Sequence, residues 1–173
     1  MAPRGQMEEI KEFLINFVEK ESDVFSGFPV CPFAKKERIE KKIKFVETKF
    51  ENIDVEHVLD EVQDFLLKDY STLLLISDKD VSIEQTRHFF RCITTLMENN
   101  GANVFLFHKD DNRSYGGIYT RRSPVPFIMV GYKNQIAKKK AKLLKTKYYD
   151  KLVREEMFNL HPKRKKKWQK LKK

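Results

Sequence analysis

Thr72-Leu73-Leu74-Leu75-Ile76 decides the fold. Four consecutive aliphatic residues, with polar Ser71 before and Ser77-Asp78 after, show no in-out alternation. A run of this kind is buried on both faces, as in a strand covered by helices on either side. Helical patterns flank it. Upstream, Asp54 is placed to cap a helix whose apolar face is Val55, Val58, Leu59, Val62, Phe65 and Leu66. Downstream, Ser82 and Gln85 have capping-box spacing. Ile83, Phe89, Phe90, Ile93, Leu96 and Met97 then form a helix face that Asn99-Asn100-Gly101 ends.

Further strands are read at 43–47, 104–107 and 127–130, and an amphipathic helix over about 7–20. Residues 22–32 form a loop punctuated by Gly27, Pro29 and Pro32, followed by a short helix over 34–41. A polar loop with Gly116-Gly117 at its centre spans 109–122, and a long helix runs from 133 to about 160, before Pro162. The order is α-βαβαββ-α. It predicts a small single-domain α/β sandwich with a mixed, mostly parallel four-stranded sheet, over residues 1–160, and a basic tail over 161–173. The β-α-β units predict parallel neighbours, and the last two strands an antiparallel pair.

The chain carries +10 over 173 residues, unevenly. Residues 161–173 hold eight Lys/Arg and no acid, and residues 133–160 hold nine against three acids, which leaves the first 132 at about −4. The basic third suits RNA, DNA, an acidic protein or an anionic surface. Within the tail, Lys163, Arg164, Lys165, Lys166, Lys167 and Trp168 combine phosphate-binding cations with one ring for stacking; a solvated tail has the same composition. No apolar run reaches the roughly 20 residues of a membrane span. Two cysteines and a polar N-terminus point to a reducing, intracellular and cytoplasmic setting.

Two proline-anchored segments carry the candidate chemistry: Cys31-Pro32-Phe33-Ala34 and Arg121-Arg122-Ser123-Pro124-Val125-Pro126. Proline restricts the residue before it, so Cys31, Ser123 and Val125 should be extended. Cys31 before a helix, near Lys35 and Lys36, would favour a thiolate; a small buried residue packed under the loop is the other reading. Ala34 stands where a dithiol motif needs its second cysteine, which excludes that chemistry. His108, at a strand end, suits a general base, a metal ligand or a hydrogen-bonded structural residue. Arg121 and Arg122 offer forks for carboxylate or phosphate, with Ser123 as donor, Phe33 as wall, and Arg113 and a flexible Gly116-Gly117 completing an anion pocket. At least one of the two arginines is expected to pair with a carboxylate such as Glu47 or Asp78.

Cys31, His88, Cys92 and His108 lack the clustered spacing of a zinc site, and core packing is the reading of the His88–Cys92 pair. No P-loop, Gly-rich phosphate fingerprint or Gly-x-Ser-x-Gly elbow is present. No cofactor is assigned.

With Phe107-His108 and Tyr119-Thr120, these segments resemble an uncharacterised, mostly bacterial protein family. Its members carry Cys-Pro-Phe-Ala after an N-terminal helix, a strand ending in Phe-His, and a late Tyr-Thr-Asn-Arg-Ser-Pro-Tyr-Pro segment. Order and spacing agree over roughly residues 8–135. Arg121 replaces the family's Asn and Val125 its aromatic, and the basic extension is not a family feature. The resemblance implies a shared fold and a shared site at Cys31, His108, Arg122 and Ser123. It implies no activity. Two expectations follow: a pocket for a small anion with Cys31 and His108 as a reactive pair, or docking on nucleic acid through 133–173.

Overall fold

The computed structural model describes residues 5–151. The tail residues Lys163 to Trp168 lie outside them. The chain is an α/β domain whose elements follow the expected order. α1 (Gln6–Phe13) continues into a π-helical turn, Leu14–Val18, and a two-residue hairpin follows, β1 (Glu21–Ser22) with β2 (Phe28–Pro29). Then come α2 (Ala34–Ile39), β3 (Ile43–Thr48), α3 (Val55–Leu67), β4 (Thr72–Ser77), α4 (Ile83–Met97), β5 (Ala102–Phe107), β6 (Phe127–Tyr132) and α5 (Lys133–Leu144). None of these helices is long and apolar enough to cross a membrane.

The main sheet has the order β3-β4-β6-β5. β3 and β4 are parallel, with Thr48 opposite Ser77 at their carboxyl ends. β6 lies between β4 and β5 and is antiparallel to both. Three of the four strands thus share one direction. The second β-α-β unit does not give adjacent strands, however, because β6 folds back into the gap between them.

β4 explains why the aliphatic run is continuous. Leu73 and Leu75 face α3 and α4, joining Val58, Val62, Phe65, Phe89 and Ile93. Leu74 and Ile76 face the other way, against Ile10 and Leu14 of the first helix. All four aliphatics are at most 2 % exposed. The helices start as their sequences dictate. Asp54 accepts from the His57 amide at 3.1 Å, and Ser82 and Gln85 cap each other's backbone.

The helix expected from 133 to about 160 is interrupted after Leu144, and residues 150–151, the last described, are helical again. α5 stops at Leu144, where Thr146 Oγ1 donates to the Leu143 carbonyl at 2.7 Å. The stop lets Tyr148 turn inward. It stacks on Phe25 at 4.9 Å and donates to the Val30 carbonyl, joining the C-terminal segment to the N-terminal hairpin.

Candidate functional site

The two faces of the sheet divide the residues picked from the sequence. Side chains alternate along a strand. On β5, Leu106 belongs to the α3/α4 core and Phe107 packs with the α1 cluster. His108 therefore falls on the α4 side. It is fully buried, and its Nε2 lies 2.9 Å from the Val81 carbonyl, just before α4. Its Nδ1 accepts from the Asp110 amide at 3.1 Å. Both nitrogens are thus engaged by backbone, and the Asp110 carboxylate lies 3.5 Å from Nδ1. The histidine ties a strand end to the α4 entry, and neither ring nitrogen bonds to Cys31, whose amide bonds to the Val18 carbonyl.

Cys31 lies under the C-terminal segment. Its amide donates to the Val18 carbonyl at 3.0 Å. The residue is part-exposed, but the thiol is enclosed, and burial pushes its pKa above the ordinary value. The Phe33 and Ala34 amides and Lys139 pull in the other direction without offsetting it. The expected thiolate is not what this environment favours. Lys139, from α5, pairs with Glu37 of α2 and sits 5.7 Å from the centre of the Phe33 ring. Phe33 is thus a wall beneath a cation, beside the thiol.

Cys92 is exposed, and so is His88 one turn away, so the pair sits on the solvent face of α4 rather than in its core. Alkylation of the native protein with iodoacetamide is therefore expected to label Cys92 first and Cys31 only after unfolding. Peptide mass spectrometry reads the order, and faster labelling of Cys31 would contradict its enclosure.

The arginines take three different roles. Arg113 makes a forked pair with Asp111, Nε lying 3.0 Å from each carboxylate oxygen. Burial pushes the Asp111 carboxyl up, but the Arg113 side chain and amide pull it net below its usual range. Arg122 is exposed. It lies 3.6 Å from the Tyr119 ring centre and donates to the Asp111 carbonyl at 3.0 Å and to Asn112 Oδ1 at 3.2 Å. Arg121 stacks on Phe105 and Phe107, at 4.6 and 4.8 Å from their ring centres. Its Nη1 is buried and has no hydrogen-bond partner among the described residues. Desolvation lowers its pKa from the ordinary 12.5 to about 10, and Arg113 pushes the same way. Neither Arg121 nor Arg122 pairs with Glu47 or Asp78; Arg113 takes the nearby carboxylate instead.

Ser123 is buried and donates to the Val125 carbonyl at 2.6 Å, so its hydroxyl is used within its own turn rather than offered to a ligand. Gly116 and Gly117 are not a flexible hinge. Both have positive φ, 53° and 79°, and they close a tight turn in which Tyr115 and Ile118 exchange backbone bonds at 2.8 and 2.9 Å. The turn seats Ile118 in the Phe25–Tyr148 cluster and leaves Tyr115 41 % exposed.

Tyr149 and Tyr115, neither singled out from the sequence, connect the two segments. Burial raises the Tyr149 phenol, and both Cys31 and Tyr115 add to the shift. Tyr115 is in turn within electrostatic reach of Arg113 and Arg121. The proline-anchored segments therefore approach each other on the α1 side of the sheet through Cys31, Tyr149, Tyr115 and Arg121. Among the described residues, no three His, Cys, Asp or Glu side chains gather as a metal site would require. No protein-family model, curated protein or solved structure matches this chain.

Proposed function

We propose that the protein binds a small anion, a phosphate or carboxylate group, at Arg121. The observation that carries this reading is a guanidinium held on two aromatic rings, largely stripped of water, with a buried Nη1 left unpaired. Asp111 acts on this guanidinium from a distance but makes no bond to it, so an incoming anion can offset the cost of its desolvation with charge-assisted bonds. The Arg113–Asp111 ion pair and Tyr115 border the position, and the phenol is a further donor for an anion there. Arg122 is already occupied by Asp111 and Asn112, which makes it a support for the loop. Cys31 and Tyr149 close the far side, and no reaction is assigned to them.

Calorimetric titration with inorganic phosphate, and with acetate as the carboxylate probe, tests the reading. A charge-assisted bond is worth about 1.5–3 kcal/mol. Arg121→Gln is therefore expected to weaken binding at least about tenfold, and Arg122→Gln by less than about threefold. Equal losses in both variants, or none in Arg121→Gln, would remove Arg121 as the anion contact.

A further inference from the structure

We infer that the exposed face of α5 is a docking surface for the phosphate backbone of nucleic acid, separate from the Arg121 site. The helix carries five lysines and no acidic residue. Lys139 is tied to Glu37. Lys138, Lys142 and Lys145 recur at i, i+4 and i+7, so they project from one side. All three are exposed, and none pairs with a carboxylate among the described residues. Exposed Lys133 and Lys147 extend the same sign of charge to either end.

The helix dipole favours Lys142 and Lys145 near the C-terminus, but it does not account for Lys138, and like charges at i and i+4 oppose helix formation. Packing offsets that repulsion only in part: no residue of this helix is fully buried, although Leu143 joins the Phe25–Tyr148 cluster and Ile136 meets Gly131. A polyanion laid along the stripe removes it.

The chemistry distinguishes among polyanions. The helix shows no exposed large apolar side chain, whereas a membrane-surface helix inserts one face. Lysine without aromatic or apolar anchors is also depleted from protein interfaces. A row of lysines suits phosphate contacts, which position a duplex without reading its sequence. From Lys138 to Lys145 the helix rises about 10 Å, which spans about three phosphates of one strand at 3.4 Å each.

Fluorescence anisotropy of the full chain with a labelled 20-base-pair duplex, between 50 and 200 mM NaCl, tests this. Three phosphate contacts contribute about −2.7 to the log–log salt slope, or about 40-fold in affinity across that range. Lys138→Gln/Lys142→Gln/Lys145→Gln should reduce the slope by that amount and weaken binding at 100 mM salt at least about tenfold. Lys20→Gln/Lys41→Gln/Lys49→Gln, which removes the same charge from exposed positions elsewhere, should leave the slope unchanged. Equal effects of the two triple variants would reduce the surface to net charge. No effect of the first would place any duplex binding elsewhere in the chain. Loss of binding to phosphatidylserine vesicles with duplex binding intact would make the surface a lipid contact and overturn the assignment.

Discussion

His108→Ala is expected to cost the fold about 3–5 kcal/mol, a large part of the stability of a domain this size. The imidazole is fully buried, and both of its nitrogens are engaged by backbone. Truncation leaves a ring-sized void, an unpaired carbonyl at Val81 and an unpaired amide at Asp110. Each orphaned group adds about 1–3 kcal/mol less whatever water can recover. Two isosteric variants separate the bonds. Asn places an acceptor near the Nδ1 position and keeps the contact within the loop; Gln extends a donor toward Nε2 and keeps the contact to Val81. Each should recover about 1 kcal/mol relative to alanine. Urea unfolding at constant m-value reads all three. A loss below about 1 kcal/mol in His108→Ala, or no recovery in either isostere, would show that the histidine does not hold the strand end to α4.

The place of His108 also marks the limit of what this sequence discloses. Long periodic segments were legible: the aliphatic run of β4, the Asp54 cap and the Ser82–Gln85 box all appear where the pattern puts them. Phe105-Leu106-Phe107-His108 carries no such contrast, because both faces of β5 are covered and neither parity looks polar. The face on which the histidine falls was therefore unreadable. Arg121 illustrates a second limit. Its aromatic supports lie 14 and 16 positions upstream, and the loop between them is closed by a backbone bond from the His108 amide to the Arg121 carbonyl at 3.1 Å. Local spacing encodes no such contact. The helix stop at Leu144 is tertiary as well. Lysine and leucine would continue the helix on propensity alone, but the chain turns after Leu144 so that Tyr148 meets Phe25 and the Val30 carbonyl.

Arg121→Met should raise stability while abolishing the phosphate response. Replacing a buried charge by an apolar side chain of similar length commonly gains about 1–4 kcal/mol. Here about 0.5–1 kcal/mol per ring contact is lost with the cation–π stacking on Phe105 and Phe107, although a thioether against aromatic rings restores part of it. The expected net gain is about 1–2 kcal/mol, a rise of roughly 2–8 °C in Tm without ligand. The pH dependence has a fixed sign. The folded state holds the Arg121 proton with a pKa of about 10, below the ordinary 12.5. The desolvation cost is therefore present in full at neutral pH and is relieved only as pH rises through about 10, where the unfolded chain binds more protons than the folded one. The advantage of the methionine variant should accordingly be greatest at pH 7–8 and shrink above pH 10. Wild type and variant melted side by side, with and without phosphate, give four curves. Phosphate should raise the Tm of the wild type only. A methionine variant less stable than the wild type would mean that the guanidinium has a partner that repays its burial, and the reason for an anion to bind there would be gone. A site that costs stability when empty and recovers it when filled is the mark of a residue kept for binding.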